Sequence, residues 1–271
     1  MFAINKICID SSFRVSGTPT EFRIELPESV LIPENTVCMV TDVCIAHSWY
    51  SVDDANDRVY VRRVASGLTQ DIFFALAHQN YDIVTLAAGL QTAFNARWPT
   101  SFTVTASSAM GTLQIATSVA DTTFQVLTDA ELLDQLDNTW SGTAFEGQSP
   151  MTCNMMLRNT IPATSSKTVP FVSGFVDTLA HHNIYISSPN LGSFQNLGPR
   201  GERNILKKVV VNVPFGGMIT ETLINPDDCT DCSKQLLKTL EFKISDIYGN
   251  AMQLHGAPVS FSLVFRGSPM L

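Results

Sequence analysis

Cys229-Thr230-Asp231-Cys232 is the sharpest chemical signal in the chain, because a CxxC pair can hold zinc or exchange disulfides. A zinc site needs a second pair, or histidines at metal spacing, and none follows in the sequence. The context is a Pro226-Asp227-Asp228 loop. The expectation is an ordinary loop, with metal binding at Cys229–Cys232 left open. The other cysteines are Cys8, Cys38, Cys44 and Cys153. In a reducing compartment they read as free, mostly buried thiols. Cys38 and Cys44 lie in one apparent strand, so they are expected on a shared face and unable to pair with each other easily.

The remaining chemistry is thinner. His181-His182 follows Asp177, but adjacent residues on a strand face opposite sides, so both cannot converge on one metal there. They read as a polar lead into a strand over 183–188. No G-x-S-x-G nucleophile elbow is present, and Ser141-Gly142 and Ser173-Gly174 lack its flanks. Gly216-Gly217 follows a strand-like run, yet no Lys-Ser/Thr and no helix pattern come after it, so a phosphate loop is not indicated. Trp49-Tyr50 and Trp140 could stack on sugars; core or interface duty is the competing reading. No catalytic, cofactor-binding or metal-binding residue is assigned, no cofactor is expected, and the chain does not read as an enzyme.

Bulk composition points the same way. Of 271 residues, 45% are hydrophobic and only 15% charged, against the ~25% charged of an average soluble domain. Net charge is −8, and no Lys/Arg run exceeds Arg62-Arg63 or Lys207-Lys208. A nucleic-acid binder needs a positive footprint to release phosphate counterions, so no direct nucleic-acid contact is expected. No apolar stretch is long enough for a spanning helix. The opening MFAINKICIDSSFR lacks a basic segment followed by an apolar one, so the protein is expected to be made and kept in the cytoplasm or nucleus.

Both ends of the chain read as strands. Glu21–Leu26 alternates, with Phe22, Ile24 and Leu26 on one face before a break at Pro27. Thr36–Ser48 is β-branched, with Val37, Met39, Thr41, Val43 and Ile45 on one face. Residues 53–57 are a polar turn, and the run over 58–64 completes an expected hairpin. Thr239–Ser245 and Val259–Phe265 alternate strictly. With Tyr248-Gly249-Asn250 between them, they are expected to form a terminal hairpin. The middle differs. Ile83, Leu86, Leu90 and Phe94 share a helical stripe behind Asp82 as N-cap, and Pro99 stops it. Strands follow at Phe102–Ala106, Thr112–Thr117 and Thr123–Leu127. A helix over 129–136 begins behind a Thr128/Glu131 capping box. Residues 137–182 are irregular, and 160–168 reads as an exposed loop, either a subunit-contacting arm or a mobile segment.

The order of these pieces resembles the minor capsid (penton) proteins of Polinton/Maverick elements and related virophage-like and adintovirus-like viruses. The pieces are IDSSFRVSG with FRIELPESVLIPENTVCMVTDVCIAHSWY; QNYDIVTLAAGLQTAFN with FTVT and GTLQI; MLRN; SPNLGSF with NILKKVVVNVPFGG; and LKTLEFKISDIYGNAMQLHG with VSFSLVF. The last, a strand ending in Asp246, a glycine turn and an alternating terminal strand, is the most family-like.

The expected fold class is mainly β: a jelly-roll β-sandwich from residues 1–68 and 137–271, with a small β/α subdomain, 69–136, inserted. The resemblance implies a virion protein at the vertices of an icosahedral capsid. It implies a homopentamer that contacts a separate major capsid protein, and leaves contact with a host surface open. A small double-jelly-roll major capsid protein and a jelly-roll glycan-binding or adhesin module are the alternatives.

Overall fold

The computed structural model describes residues 5–133, 143, 145, 152–191, 197–199, 201–222 and 229–267. Two compact units emerge, one from Met1–Trp49 with His181–Leu271 and one from Tyr50–Ala180. The first unit opens with β1 (Lys6–Asp10), a 3-10 turn (Ser11–Phe13), β2 (Ser16–Gly17), β3 (Glu21–Leu31) and β4 (Thr36–Ala46). The second holds β5 (Arg58–Ala65), β6 (Leu68–Ala75), α1 (Ile83–Arg97), β7 (Phe102–Ser107), β8 (Thr112–Thr117) and β9 (Thr122–Val126). It continues with α2 (Asp129–Leu133), α3 (Asn154–Leu157), β10 (Ser165–Ser166) and β11 (Phe171–Val172). The chain then returns to the first unit as β12 (Asn183–Ser187), β13 (Ile205–Val210), β14 (Met218–Glu221), β15 (Thr230–Asp231), β16 (Leu236–Ser245) and β17 (Val259–Gly267).

The first unit is a jelly roll. One sheet runs β1-β17-β4-β14, with β15 also on β4, and the other runs β13-β12-β16-β3-β2. Along the chain the strands cross between the sheets again and again, as two wound Greek keys require. The apolar faces of the alternating strands meet in the middle. Phe242 lies 5.6 Å from Phe22 on its own sheet and 5.0 Å, edge-on, from Phe261 of the other.

The expected terminal hairpin does not form. β16 pairs with β3 and β12, and β17 pairs with β1 and β4, so the two strands face each other across the core. Local alternation names the buried face of a strand but not its hydrogen-bonding partner. The segment 246–258 is a connection between sheets, in which the Asp246 carboxylate accepts from the backbone N–H groups of Tyr248 and Asn250 at 2.8 Å.

Pro27 does not end its strand either. β3 continues to Leu31 because the ladder bulges there. Thr239 pairs with Glu25 and Leu237 with Val30, leaving Lys238 alone opposite the stretch 26–29. The Lys238 ammonium donates to the Leu26 carbonyl at 2.6 Å, and the missing proline N–H is not needed at a bulge. In β4, Asp42 takes φ +52°. Asp42 and Val43 together stand opposite Phe261, since Thr41 pairs with Ser262 and Cys44 with Ser260. That bulge switches the alternation. Cys38, Val40, Val43 and Ile45 form the core face, not the single Val37-to-Ile45 series, and Cys38 and Cys44 point to opposite sides.

In the second unit, one sheet runs β10-β9-β5-β6 and another β11-β8-β7. The strand after the polar turn 53–57 therefore does not pair with β4; β5 pairs with β6 and β9. The helix packs Leu86, Leu90 and Phe94 into this unit's core. Phe94 lies 4.8 Å from Phe74 and 4.9 Å from Phe102. Both expected N-caps are present: Asp82 accepts from the Thr85 N–H at 2.7 Å, and Thr128 accepts from the Glu131 N–H at 3.2 Å. The stretch of 129–136 beyond Leu133 lies outside the described residues.

Side-chain amides pin the irregular segment after residue 151 to the end of β9. Buried Asn154 donates to the Leu127 carbonyl at 2.8 Å, and Asn159 donates to the Val126 carbonyl at 3.0 Å. These bonds and the β5 ladder give the second unit its extent. The block drawn from sequence as 69–136 lies inside it, and the unit reaches further in both directions.

Candidate functional site

Cys38, Cys153 and Cys232 are buried, Cys44 and Cys229 are half-buried, and Cys8 is exposed. Cys232 is buried, its thiol donates to the Thr36 carbonyl at 3.4 Å, and burial followed by the nearby Asp231 charge pushes it up to about 12. Burial also raises the Cys38 thiol, with Cys232 adding to the effect, and raises Cys153 to about 12. Such thiols are poor nucleophiles and poor metal ligands near neutrality. Among the described residues, no three His, Cys, Asp or Glu side chains gather as a metal site. No described helix is long and apolar enough to cross a membrane.

The other singled-out residues serve the scaffold. The His181 ring meets Trp49 edge-on at 6.3 Å, and the His182 carbonyl accepts from Val211, extending the β12–β13 ladder. Trp49 is 2% exposed and so offers no face for a sugar. Trp140 and Ser141-Gly142 lie outside the described residues. Buried Ser173 accepts from the Leu113 N–H at 2.9 Å and donates to the Gly174 carbonyl at 2.7 Å, which ties β8 to the segment after β11. Gly216, at φ +81°, donates its N–H to His47, and Gly217 donates to Pro214. Neither N–H is left to cradle a phosphate.

What remains is surface, and the jelly roll organises it. At one end of the first unit the chain departs after β4 and returns at β12. The neighbouring connections are bonded there: His47 exchanges backbone bonds with Gly216 and Gly217, and Ser48 donates to the Leu254 carbonyl at 2.7 Å. At the opposite end, Phe265 donates to the Asn5 carbonyl at 3.0 Å, where β1 begins and β17 ends. The flank between β13 and β14 is sealed by an ion pair between Lys207, 2% exposed, and Glu221 at 2.9 Å. The flank between β1 and β3 is open. It holds a groove of 390 Å³ whose wall includes Ile9, Ile24 and Phe13. On the outer face of the second sheet, beside β12 and β13, lies a pocket of 290 Å³ walled by Tyr185, Ile205, Ile247 and Tyr248.

No family model matches the chain, and no curated protein matches it by sequence. Among solved structures, the crystal structure of selenomethionine-labelled mavirus penton protein matches with a TM-score of 0.53 at 10% identity, covering 96% of this chain and 99% of that one. The chain has a penton-protein fold. The likeness runs through both units rather than through the jelly roll alone, because the covered share leaves almost nothing of either chain outside it.

Sequence reasoning missed two features of this penton fold. The Lys207–Glu221 pair was legible in principle, since alternation in the run ILKKVVV places Lys207 on the same face as Val209. The pocket was not, because its walls come from three separate strands and loops.

Proposed function

We propose that this chain is a penton protein, the vertex component of an icosahedral capsid. It assembles as a homopentamer and contacts a separate major capsid protein. Its place of work is the virion, after synthesis in the host cytoplasm or nucleus, and its role is structural. The observation that carries this reading is the near full-length match to a penton protein.

The second unit, Tyr50–Ala180, is the outward-facing part in this reading, the one that meets host surfaces. Support comes from its attachment: the chain leaves the jelly roll after β4 and returns at β12, at the end of the sandwich opposite the start of β1 and the end of β17. A small double-jelly-roll major capsid protein fits less well. The described strands of the second unit form sheets ordered β10-β9-β5-β6 and β11-β8-β7, which is not a second copy of the winding seen in the first. Native mass spectrometry of the purified protein tests the proposal. Five copies are expected; a stable trimer would move the assignment to the shell face, and a lone glycan-binding monomer to an adhesin.

A further inference from the structure

One side of β1 is an open ladder. Its register on β17 runs from Lys6 opposite Val264 to Asp10 opposite Ser260, and Phe265 donates its N–H to the Asn5 carbonyl. In an antiparallel pair, residues that exchange backbone bonds alternate with residues that do not. Asn5 is bonded to β17, so Ile7 and Ile9 are bonded to it as well. The far end keeps the same phase, since the Val259 N–H reaches across to the Ser11 hydroxyl at 2.8 Å. The N–H and C=O of Lys6 and Cys8, and the N–H of Asp10, therefore point away from β17. Among the described residues none of these groups meets a hydrogen-bond partner, and β1 has no second neighbour in its sheet.

The opposite flank of the sandwich is guarded, and this one is not. There Lys207 points inward from the edge strand β13 and pairs with Glu221 of β14, and an inward charge on an edge strand opposes the addition of another strand. β1 carries no proline, and its ladder has no bulge. Beside it lies the groove of 390 Å³, where Ile9, Ile24 and Phe261 supply apolar wall. The charged residues of that wall are Asp10 and Asp42. Asp42 is paired with Lys6 at 2.5 Å. Among the described residues Asp10 meets no cation, and its carboxylate accepts from the Ser12 N–H at 2.8 Å. A row of outward backbone groups is matched by an extended main chain, whose side chains then alternate between the two faces. The chain itself is acidic, at −8, so a basic segment of a different protein complements Asp10 better than a second copy does.

We propose that β1 is a strand-addition site for an extended segment of a separate protein. The segment pairs with the outward groups of Lys6, Cys8 and Asp10. Its apolar residues, at alternate positions, lie on the Ile7 and Ile9 side, and a Lys or Arg between them faces Asp10. The site stands on the edge itself and not on the vertex assignment: a chain that binds no such segment can still be counted as five copies by native mass spectrometry.

A display library of linear random peptides is panned on the full chain, and an enriched peptide is titrated by calorimetry. Sequences that alternate apolar residues with Lys or Arg are expected. Hydrogen exchange resolved to single amides by NMR reads the register. The amides of Lys6, Cys8 and Asp10 should exchange fast in the unliganded protein and slow when peptide binds, while those of Ile7 and Ile9 are slow throughout. Cys8→Pro removes an outward N–H that β17 does not use, so the fold should survive and affinity fall about tenfold. Cys8→Ala should bind as the wild type does. Asp10→Asn keeps an oxygen for the Ser12 N–H and should weaken a basic peptide about threefold. No such enrichment, or protection that misses the three outward amides, overturns the site. So does a folded Cys8→Pro with full affinity; if that variant does not unfold cooperatively, the exchange pattern decides alone. Unchanged affinity in Asp10→Asn overturns the basic partner. Protection of the same amides that grows with the concentration of the chain alone overturns the separate protein in favour of a second copy.

Discussion

Asp82 shows how much one side chain sets in this protein. Its carboxylate accepts from the backbone N–H of Thr85, and the Thr85 hydroxyl completes the box by accepting from the Asp82 N–H at 2.9 Å. Hydrogen bonds from Thr85, backbone first, hold the Asp82 carboxyl below its ordinary value. A depressed value in the folded state means the stabilisation is fully present above the unfolded-state value of about 3.9 and is lost as pH falls through the folded one. Asp82→Ala should therefore weaken α1 by about 1 kcal/mol at neutral pH. The deficit should shrink once the wild-type carboxyl protonates. Hydrogen exchange across 83–97 reads it, and a deficit independent of pH would exclude the charged cap. This cap, like that of Thr128 with Glu131, was legible because donor and acceptor lie three residues apart. The exposure of Phe13 was not legible: in the sequence it is one more aromatic beside a strand, and only the Asp10-capped turn that carries it turns it to solvent.

The same difference between near and far recurs in the strands and helices. α1, the β7–β8 hairpin and the buried faces of β16 and β17 follow from period and turn signals alone. Strand partnership does not, since Thr239 lies beside Arg23, reached by a side-chain bond 216 residues away in sequence. The bulge at Asp42 was equally hidden, because it is a backbone choice that a run of β-branched residues does not announce. Phe261 tests the arrangement that resulted. Its ring lies against Phe242 of the facing sheet, so Phe261→Ala should cost about 3–5 kcal/mol. Phe261→Asp should abolish the cooperative unfolding of the jelly roll, as a buried unpaired charge does. Calorimetry that still shows the wild-type transition for Phe261→Asp would mean β16 and β17 do not face each other.

For the molecule as a whole, the testable division is the one between units. Replacing residues 50–180 by a short Gly/Ser linker should preserve a folded jelly roll, and with it the pentamer proposed above, because the apolar cores of the two units are built from separate stretches of chain. Circular dichroism and native mass spectrometry of the shortened chain check both parts. Loss of the pentamer with the sandwich still folded would place subunit contacts in the second unit.

The strand order has one more consequence, and it concerns synthesis. Among the described residues, β1 has its only ladder partner in β17, and the partners of β4 are β14, β15 and β17. As the chain leaves the ribosome, β1, β4 and most of β3 emerge before the strands they pair with. The contiguous second unit can fold ahead of them, followed by a wait for the last strand. The jelly roll is thus completed only after β17 has emerged. The two long opening strands, β3 and β4, lack their main partners in the meantime, β3 having only the two residues of β2 beside it, which makes the nascent chain prone to aggregation and gives chaperones a defined target.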